Sequence, residues 1–522
     1  MDIKVPQLLK TKILVLLIML FSILIRIPYF DCPLCADESG FAYQAHFWLK
    51  GVSFYESCFF DYPPGFPLIY AFIFKTLDDK ISTLRLFLAV WNAITVFFIY
   101  LTAQELFDRP TALFSAFLYG CFSWSPLIKG NVAKDMFMPL PLIISLYFYV
   151  RYHKSLELSS LCLIGVFCGI AGIFKQSVLP LWGFFLIFIC LRSLNRIRDI
   201  VFFIFSGCLP IILCFIYCDG FLDVKNFYHI IIANRVFTAS IFVGTWWYHL
   251  LRGSCSLIKS GLLFWVIALI LGMKFIRKDF TFYLLTFHLF FSFLGVALPG
   301  YWYDHYYALL LPSLCILLGW ECVKIWQFKN KAFILANIIL ITIPYVAYIM
   351  VSLHFNNFCL RTYHEYLLTP KIANYLSRNC NKAHTFYAFL YTDPNLYLLL
   401  KKRSPFPYMF RTQFLYWPKC ITEFIGFINS LERPDYLITY PKQKTIQIIR
   451  HSCEPKSGII NKVQQCVCTT FRPFCQGYPI QISLIKDVFT SINKYYVAMK
   501  SISIDETSVI IWKNKSLQKN QQ

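Results

Sequence analysis

Long apolar runs separated by short basic turns fill roughly the first 355 residues, and a mixed polar and apolar pattern follows. Runs near 13–30, 82–107, 111–128, 136–151, 159–174, 178–193, 199–217, 258–275, 280–298, 305–322 and 332–353 approach the length a helix needs to cross a bilayer. They predict about eleven membrane helices, with room for up to thirteen. Two shorter pieces, Ser39–Leu49 and Pro64–Leu77, fall below spanning length and read as helices lying on the outer surface. Counting Pro64–Leu77 as a span would invert every later loop. The segment Ile13–Ile25 follows Lys4, Lys10 and Lys12, as a signal peptide would. Arg26-Ile27-Pro28-Tyr29-Phe30 stands where a cleavage site would be needed, so a retained signal anchor is expected.

Charge gives these runs a direction. With the first residues cytoplasmic, the internal turns carry Arg109; Arg151, His153 and Lys154; Arg192, Arg196 and Arg198; Lys274, Arg277 and Lys278; and Lys324, Lys329 and Lys331. Basic residues concentrate in cytoplasmic turns, so this parity puts the first loop (31–80), the 218–257 segment and the tail outside. Two regions are expected: a membrane domain over 1–355 and an extracytoplasmic domain over 356–522. In the tail, Thr385–Tyr391, Tyr436–Tyr440 and Ser508–Lys513 read as strands and Pro394–Lys402 as a helix, which makes a small α/β or α+β domain.

Composition agrees. The 522 residues are 58% hydrophobic, 19% aromatic and only 15% charged, a profile of a multi-pass membrane protein. The net charge of +22 sits in short clusters between apolar runs and forms no basic stripe, which argues against nucleic acid as partner. Of the 20 cysteines, Cys162, Cys168, Cys190, Cys208 and Cys214 lie inside apolar runs, where thiols act as small hydrophobes. Cys32, Cys35 and Cys58 in the first loop, and Cys359, Cys380, Cys420, Cys453, Cys466, Cys468 and Cys475 in the tail, are open to disulfide formation in an oxidising compartment. Cys32-x-x-Cys35 has no second pair to complete a zinc site.

Chemistry is expected first in the polar island Ala36-Asp37-Glu38-Ser39-Gly40-Phe41-Ala42-Tyr43-Gln44-Ala45, continued by Asp61-Tyr62-Pro63-Pro64-Gly65-Phe66-Pro67. Adjacent carboxylates beside a bilayer segment are costly unless something uses them. Asp37 and Glu38 are candidate general bases, or caps of a helix beginning near Ser39. Lys134-Asp135 occupies the next outer loop, where Asp135 is a second candidate acid or another cap. Lys175 ends the run Gly169-Ile170-Ala171-Gly172-Ile173-Phe174 as a cation for a phosphate, or as a lysine reaching out of the bilayer. The glycines before it suit close helix approach. In Tyr301-Trp302-Tyr303-Asp304-His305-Tyr306-Tyr307 an aromatic belt accounts for the tyrosines, whereas His305 and Asp304 suit hydrogen bonding near a leaving phosphate. No P-loop, GxGxxG, HExxH or GxSxG motif is present.

Taken in order, these motifs resemble the GT-C superfamily of membrane glycosyltransferases, in its protein O-mannosyltransferase and aminoarabinose lipid A transferase-like branch. Arg26-Ile27-Pro28, Asp37-Glu38 with Tyr43, Ala45 and Gly51, Tyr62 to Pro67, Asp135, Gly169–Lys175, and His305-Tyr306-Tyr307 with Pro312 carry the likeness. The resemblance implies a polyprenyl-phosphate-linked sugar as donor, an acceptor left open among lipid, protein and glycan, and inversion at the anomeric carbon. It also implies an inner or plasma membrane, or that of the endoplasmic reticulum. Asp37, Asp135 and Glu38 are the expected catalytic acids. Lys175, His305, Tyr306, Arg235 and Lys134 are expected at the donor phosphate or lipid, and Tyr62, Pro63 and Pro64 shape the first loop. No metal ligands are expected, although the acids leave a divalent ion open. Some aminoarabinose-type relatives have lysine where this chain has Tyr62, so the donor sugar stays unassigned. The alternative class is a multi-pass transporter of an anionic or lipid-linked substrate, which would carry internal repeats and charges near the bilayer midplane.

Overall fold

The computed structural model describes residues 7–30, 34–54, 63–123, 134–218, 246–353, 364–409, 418–441 and 482–519, apart from a few positions within these ranges. Each of the eleven apolar runs is helical: α1 (Gln7–Leu24), α4 (Ile81–Leu106), α5 (Arg109–Phe122), α6 (Pro139–Ser155), α7 (Leu158–Phe174), α8 (Leu179–Arg192), α9 (Arg196–Tyr217), α11 (Leu262–Gly272), α12 (Phe280–Ala297), α13 (Leu311–Gln327) and α14 (Lys331–Leu353). The two surface pieces are α2 (Ala36–Trp48) and α3 (Gly65–Thr76), and α10 is Trp246–Lys259. Among the described residues five helical stretches are long and apolar enough to cross a membrane: Leu9–Tyr29, Ile81–Leu106, Arg196–Tyr217, Phe280–Ala297 and His305–Gln327. Three helices start later than their apolar runs because proline sets their first turn. Pro139, Pro180 and Pro312 start α6, α8 and α13, each after a turn of 3-10 helix at Lys134–Phe137, Gln176–Val178 and Asp304–Leu310. The run at 258–275 is broken at Gly261, whose φ of +75° separates α10 from α11.

Helices α7 and α9 pack in backbone contact. A Cβ on Gly169 would lie 2.2 Å from the Gly207 carbonyl oxygen, so only glycine permits the approach. The basic helix ends gather at one end of the bundle. Lys154 reaches both the carbonyl and the carboxylate of Glu105 at 2.7 Å, Arg192 donates to the His153 carbonyl, and His153 stacks 4.1 Å from Phe280. Phe107 stacks on Trp320, and Phe275 meets Phe328 and Phe333 across the α13–α14 turn. The acid island lies at the opposite end.

Beyond α15 (His364–Asn379) the chain forms a four-stranded sheet from β1 (Phe386–Phe389), β2 (Tyr436–Thr439), β3 (Tyr496–Ile504) and β4 (Thr507–Asn514), in the order β1-β2-β4-β3. β1 and β2 are parallel with Phe386 opposite Tyr436, and the other pairs are antiparallel, with a register shift between Ala498 and Lys500. Helices α17 (Pro418–Asn429) and α18 (Ile482–Tyr495) cover one face through Phe424, Ile428, Val488 and Ile492 against Tyr387 and Phe389. Helix α16 (Asn395–Leu400) docks this layer on α2: the Tyr43 hydroxyl accepts the Ser404 N–H at 2.9 Å, and Tyr397 meets the Tyr43 ring edge-on.

Of the first-loop and tail cysteines, Cys35, Cys380 and Cys420 lie among the described residues. Cys32, Cys58, Cys359, Cys453, Cys466, Cys468 and Cys475 lie outside the described residues.

Candidate active site

Helix α2 starts three residues earlier than its sequence indicates, which moves both acids into its first turn. Cys35 is the N-cap, and Glu38, at the third helical position, accepts the Cys35 N–H at 2.9 Å. This closes one half of a capping box and sets a carboxylate where the helix dipole favours it. The same carboxylate meets Arg85 of α4, which donates Nη1 to Oε1 and Nη2 to Oε2, the second at 2.9 Å. Both side chains are only 3% exposed. Two parallel charge-assisted bonds plus a backbone donor satisfy Glu38 closely, as a buried ion pair requires. The environment is dry enough to push the neighbouring Cys35 thiol and Tyr70 hydroxyl well above their ordinary values, by burial first and the Glu38 charge second. Asp37, one residue earlier, is half-buried.

A second charged group sits across an aromatic wedge. Phe41 of α2 meets Phe66 of α3 at 5.0 Å, and Phe66 meets Phe174 at 5.1 Å and Phe137 at 6.0 Å. Beside these last two rings stand Lys175 and Asp135. The Lys175 ammonium donates to Asp135 Oδ1 at 2.6 Å and lies 3.2 Å above the centroid of the Tyr306 ring. His305 Nε2 approaches the other Asp135 oxygen at 3.3 Å, with its ring stacked on Tyr303. Asp135 is fully buried and Lys175 is 4% exposed. Sequence left Asp135 open as a helix cap; in the structure Met138 takes the N-cap position of α6 and the Asp135 side chain turns to Lys175. Three stretches far apart in sequence thus converge: the turns before α6, after α7 and before α13.

Other expected residues divide. Pro63 and Pro64 line a cavity of about 170 Å³ together with Trp182, Ile211 and Gln176. Tyr62 and Arg235 lie outside the described residues, as does the side chain of Lys134. Two side chains at the site went unnoticed in sequence. Arg85 is a charge inside an apolar run, itself a signal of use. Gln176, next to Lys175, buries an amide nitrogen that meets no partner among the described residues. No group of three potential metal-binding side chains comes together among the described residues.

Comparison with known proteins adds the fold. A family model described as dolichyl-phosphate-mannose-protein mannosyltransferase matches residues 61–217, which include Pro63, Pro64, Arg85, Asp135 and Lys175. The crystal structure of ArnT from Cupriavidus metallidurans, bound to undecaprenyl phosphate, superposes with a TM-score of 0.60 at 12% identity, covering 97% of this chain and 98% of that one. Over nearly their full lengths the two chains share one fold. The oligosaccharyltransferase of Archaeoglobus fulgidus tethered to an acceptor peptide matches at a TM-score of 0.49 and 11% identity over 97% of this chain and 74% of that one. No curated protein matches the sequence. The shared fold and the apolar helices together make the chain an integral membrane protein.

Proposed function

We propose that the protein transfers a sugar from a polyprenyl-phosphate-linked donor to an acceptor, on the membrane face that carries Asp37 and away from the basic turns. The observation that carries this reading is the Lys175 ammonium, buried between Asp135 and Tyr306 beside His305, on the same end as the acid island. A buried cation beside a carboxylate and a ring face is placed to meet a phosphate when a ligand arrives. The GT-C neighbour was crystallised with undecaprenyl phosphate, which supports this class of donor. In the reaction, a half-exposed Asp37 takes the proton from the acceptor hydroxyl or amine. The acceptor atom bonds to the anomeric carbon from the face opposite the phosphate, and the carbon–oxygen bond to phosphate breaks with inversion. The electron pair leaves on the phosphate, whose growing charge Lys175 and His305 stabilise. Glu38, clamped by Arg85, holds the helix that presents Asp37. This face is the outer or luminal one, with the first residues cytoplasmic, as the positions of the basic turns support.

The test uses membrane vesicles oriented with this face outward and a radiolabelled polyprenyl-phosphate sugar. Transfer that is lost in Asp37→Asn at normal expression and folding supports the proposal. Equal transfer by Asp37→Asn removes that residue from the chemistry, and donor translocation without bond cleavage overturns the enzyme reading.

A further inference from the structure

The far end of the bundle carries a second feature, an apolar groove of about 890 Å³ between α1, α5, α13 and α14. Its walls are hydrocarbon, with Phe21, Phe117, Ile338 and Ile341 among them. Along α5 the lining runs from Pro110 to Cys121, which at about 1.5 Å per residue is a depth of about 16 Å. That is close to half of a hydrocarbon core of about 30 Å, the reach of one leaflet. The groove begins where α5 starts and α13 ends, so its mouth is at the basic end.

Cations ring that mouth. Arg109 precedes the lining residue Pro110, and Lys324 donates to the side chain of the lining residue Gln327 at 3.2 Å. Lys329 and Lys331, both exposed, form the α13–α14 turn, and Lys274 lies 3.6 Å above the Phe333 ring beside them. The acids nearby are committed or remote. Asp108 caps α5 by accepting the Thr111 N–H, Glu105 pairs with Lys154, and Glu321 is buried a turn deeper on α13. Among the described residues no carboxylate lies within ion-pair distance of Arg109, Lys324, Lys329 or Lys331. An apolar slot one leaflet deep under a cluster of unneutralised cations complements a molecule with a hydrocarbon tail and a phosphate head.

We propose that this groove binds an anionic phospholipid of the leaflet on the basic side, with an acyl chain between α5 and α14 and the phosphate on Arg109, Lys324, Lys329 and Lys331. The site is separate from the sugar-transfer site and stands whether or not that assignment holds. Juxtamembrane lysines and arginines each strengthen anionic lipid binding severalfold, so neutralising three should lower it by about a hundredfold.

The experiment titrates the full-length protein in detergent with phosphatidylglycerol and with phosphatidylcholine of identical chains, and counts bound lipid by native mass spectrometry. The wild type should prefer phosphatidylglycerol strongly. The triple variant R109Q/K329Q/K331Q should lose that preference at an unchanged unfolding temperature, and Ile338→Trp, which fills the groove, should weaken both lipids. Equal binding of the two lipids by the wild type would mean ordinary boundary lipid and overturn the proposal. So would a preference retained by the triple variant, or a dimer that Ile338→Trp dissociates, which would make a second copy the occupant.

Discussion

Two buried acid–cation groups stand on either side of one aromatic wedge, and they are built differently. Glu38 and Arg85 meet through two parallel bonds, with a helix N-terminus supplying a third donor, so the pair is closed on itself. Asp135 and Lys175 meet through a short bond beside a ring face and an imidazole edge. A closed pair fixes geometry. An ammonium lying on a polarisable ring face can turn towards a ligand's charge while keeping that face. The difference sets a group that holds α2 in place against the group proposed to meet the substrate.

The largest expected effect breaks the closed pair. Arg85→Ala strands a buried carboxylate and should destabilise the protein by about 3–5 kcal/mol, read as a lowered unfolding temperature. The double change Glu38→Met with Arg85→Met should restore most of that stability. An Arg85→Ala protein as stable as the wild type would show that the pair does not hold the helix.

Opening the other pair should act on rate. Lys175→Met removes the cation proposed to meet the phosphate and should slow transfer by about 10²–10³-fold. Its effect on unfolding temperature should be smaller than that of Arg85→Ala, and the reverse ranking would undo the comparison. A smaller change is expected at Tyr306. Buried cation–π contacts contribute about 2 kcal/mol, so Tyr306→Leu should weaken donor affinity at least tenfold while Tyr306→Phe retains it. Smallest is a pH effect at the α2 end. Burial, then the Lys50 charge, hold the His46 imidazole below its ordinary value of 6.5. The folded state therefore takes up its proton later than the unfolded state as pH falls, so stability drops below about pH 6.5 and is flat above it. His46→Gln should reduce the difference in unfolding temperature between pH 7.5 and pH 5.5.

Much of this architecture was legible in sequence because bilayers impose length and charge rules on helices. Apolar runs marked every described membrane helix, and the basic turns that parity grouped do share one end of the bundle. Gly169 was readable as a close-packing position because a membrane helix interface rewards small residues. Helix starts were less legible: Pro139 and Pro312 delay α6 and α13 behind 3-10 turns that apolar pattern does not reveal. Arg85 was hidden because its partner is 47 positions away and its own run reads as lipid-facing. Asp135 stayed open between a site acid and a cap because local sequence offers a helix to cap, whereas its partner Lys175 lies at the end of another helix. In the tail, β3 was missed because Lys500 and Ser501 blur its alternation at a register shift.

The division of labour between the acids is the central claim, and steady-state kinetics with varied donor tests it most directly. Purified Asp37→Asn should lose kcat while the KM for the polyprenyl-phosphate sugar stays near the wild-type value, because the base acts only in the transition state. Asp135→Asn should raise that KM, because it unseats the cation that meets the phosphate. The opposite pattern, with Asp37→Asn raising KM and Asp135→Asn lowering kcat alone, would contradict the account.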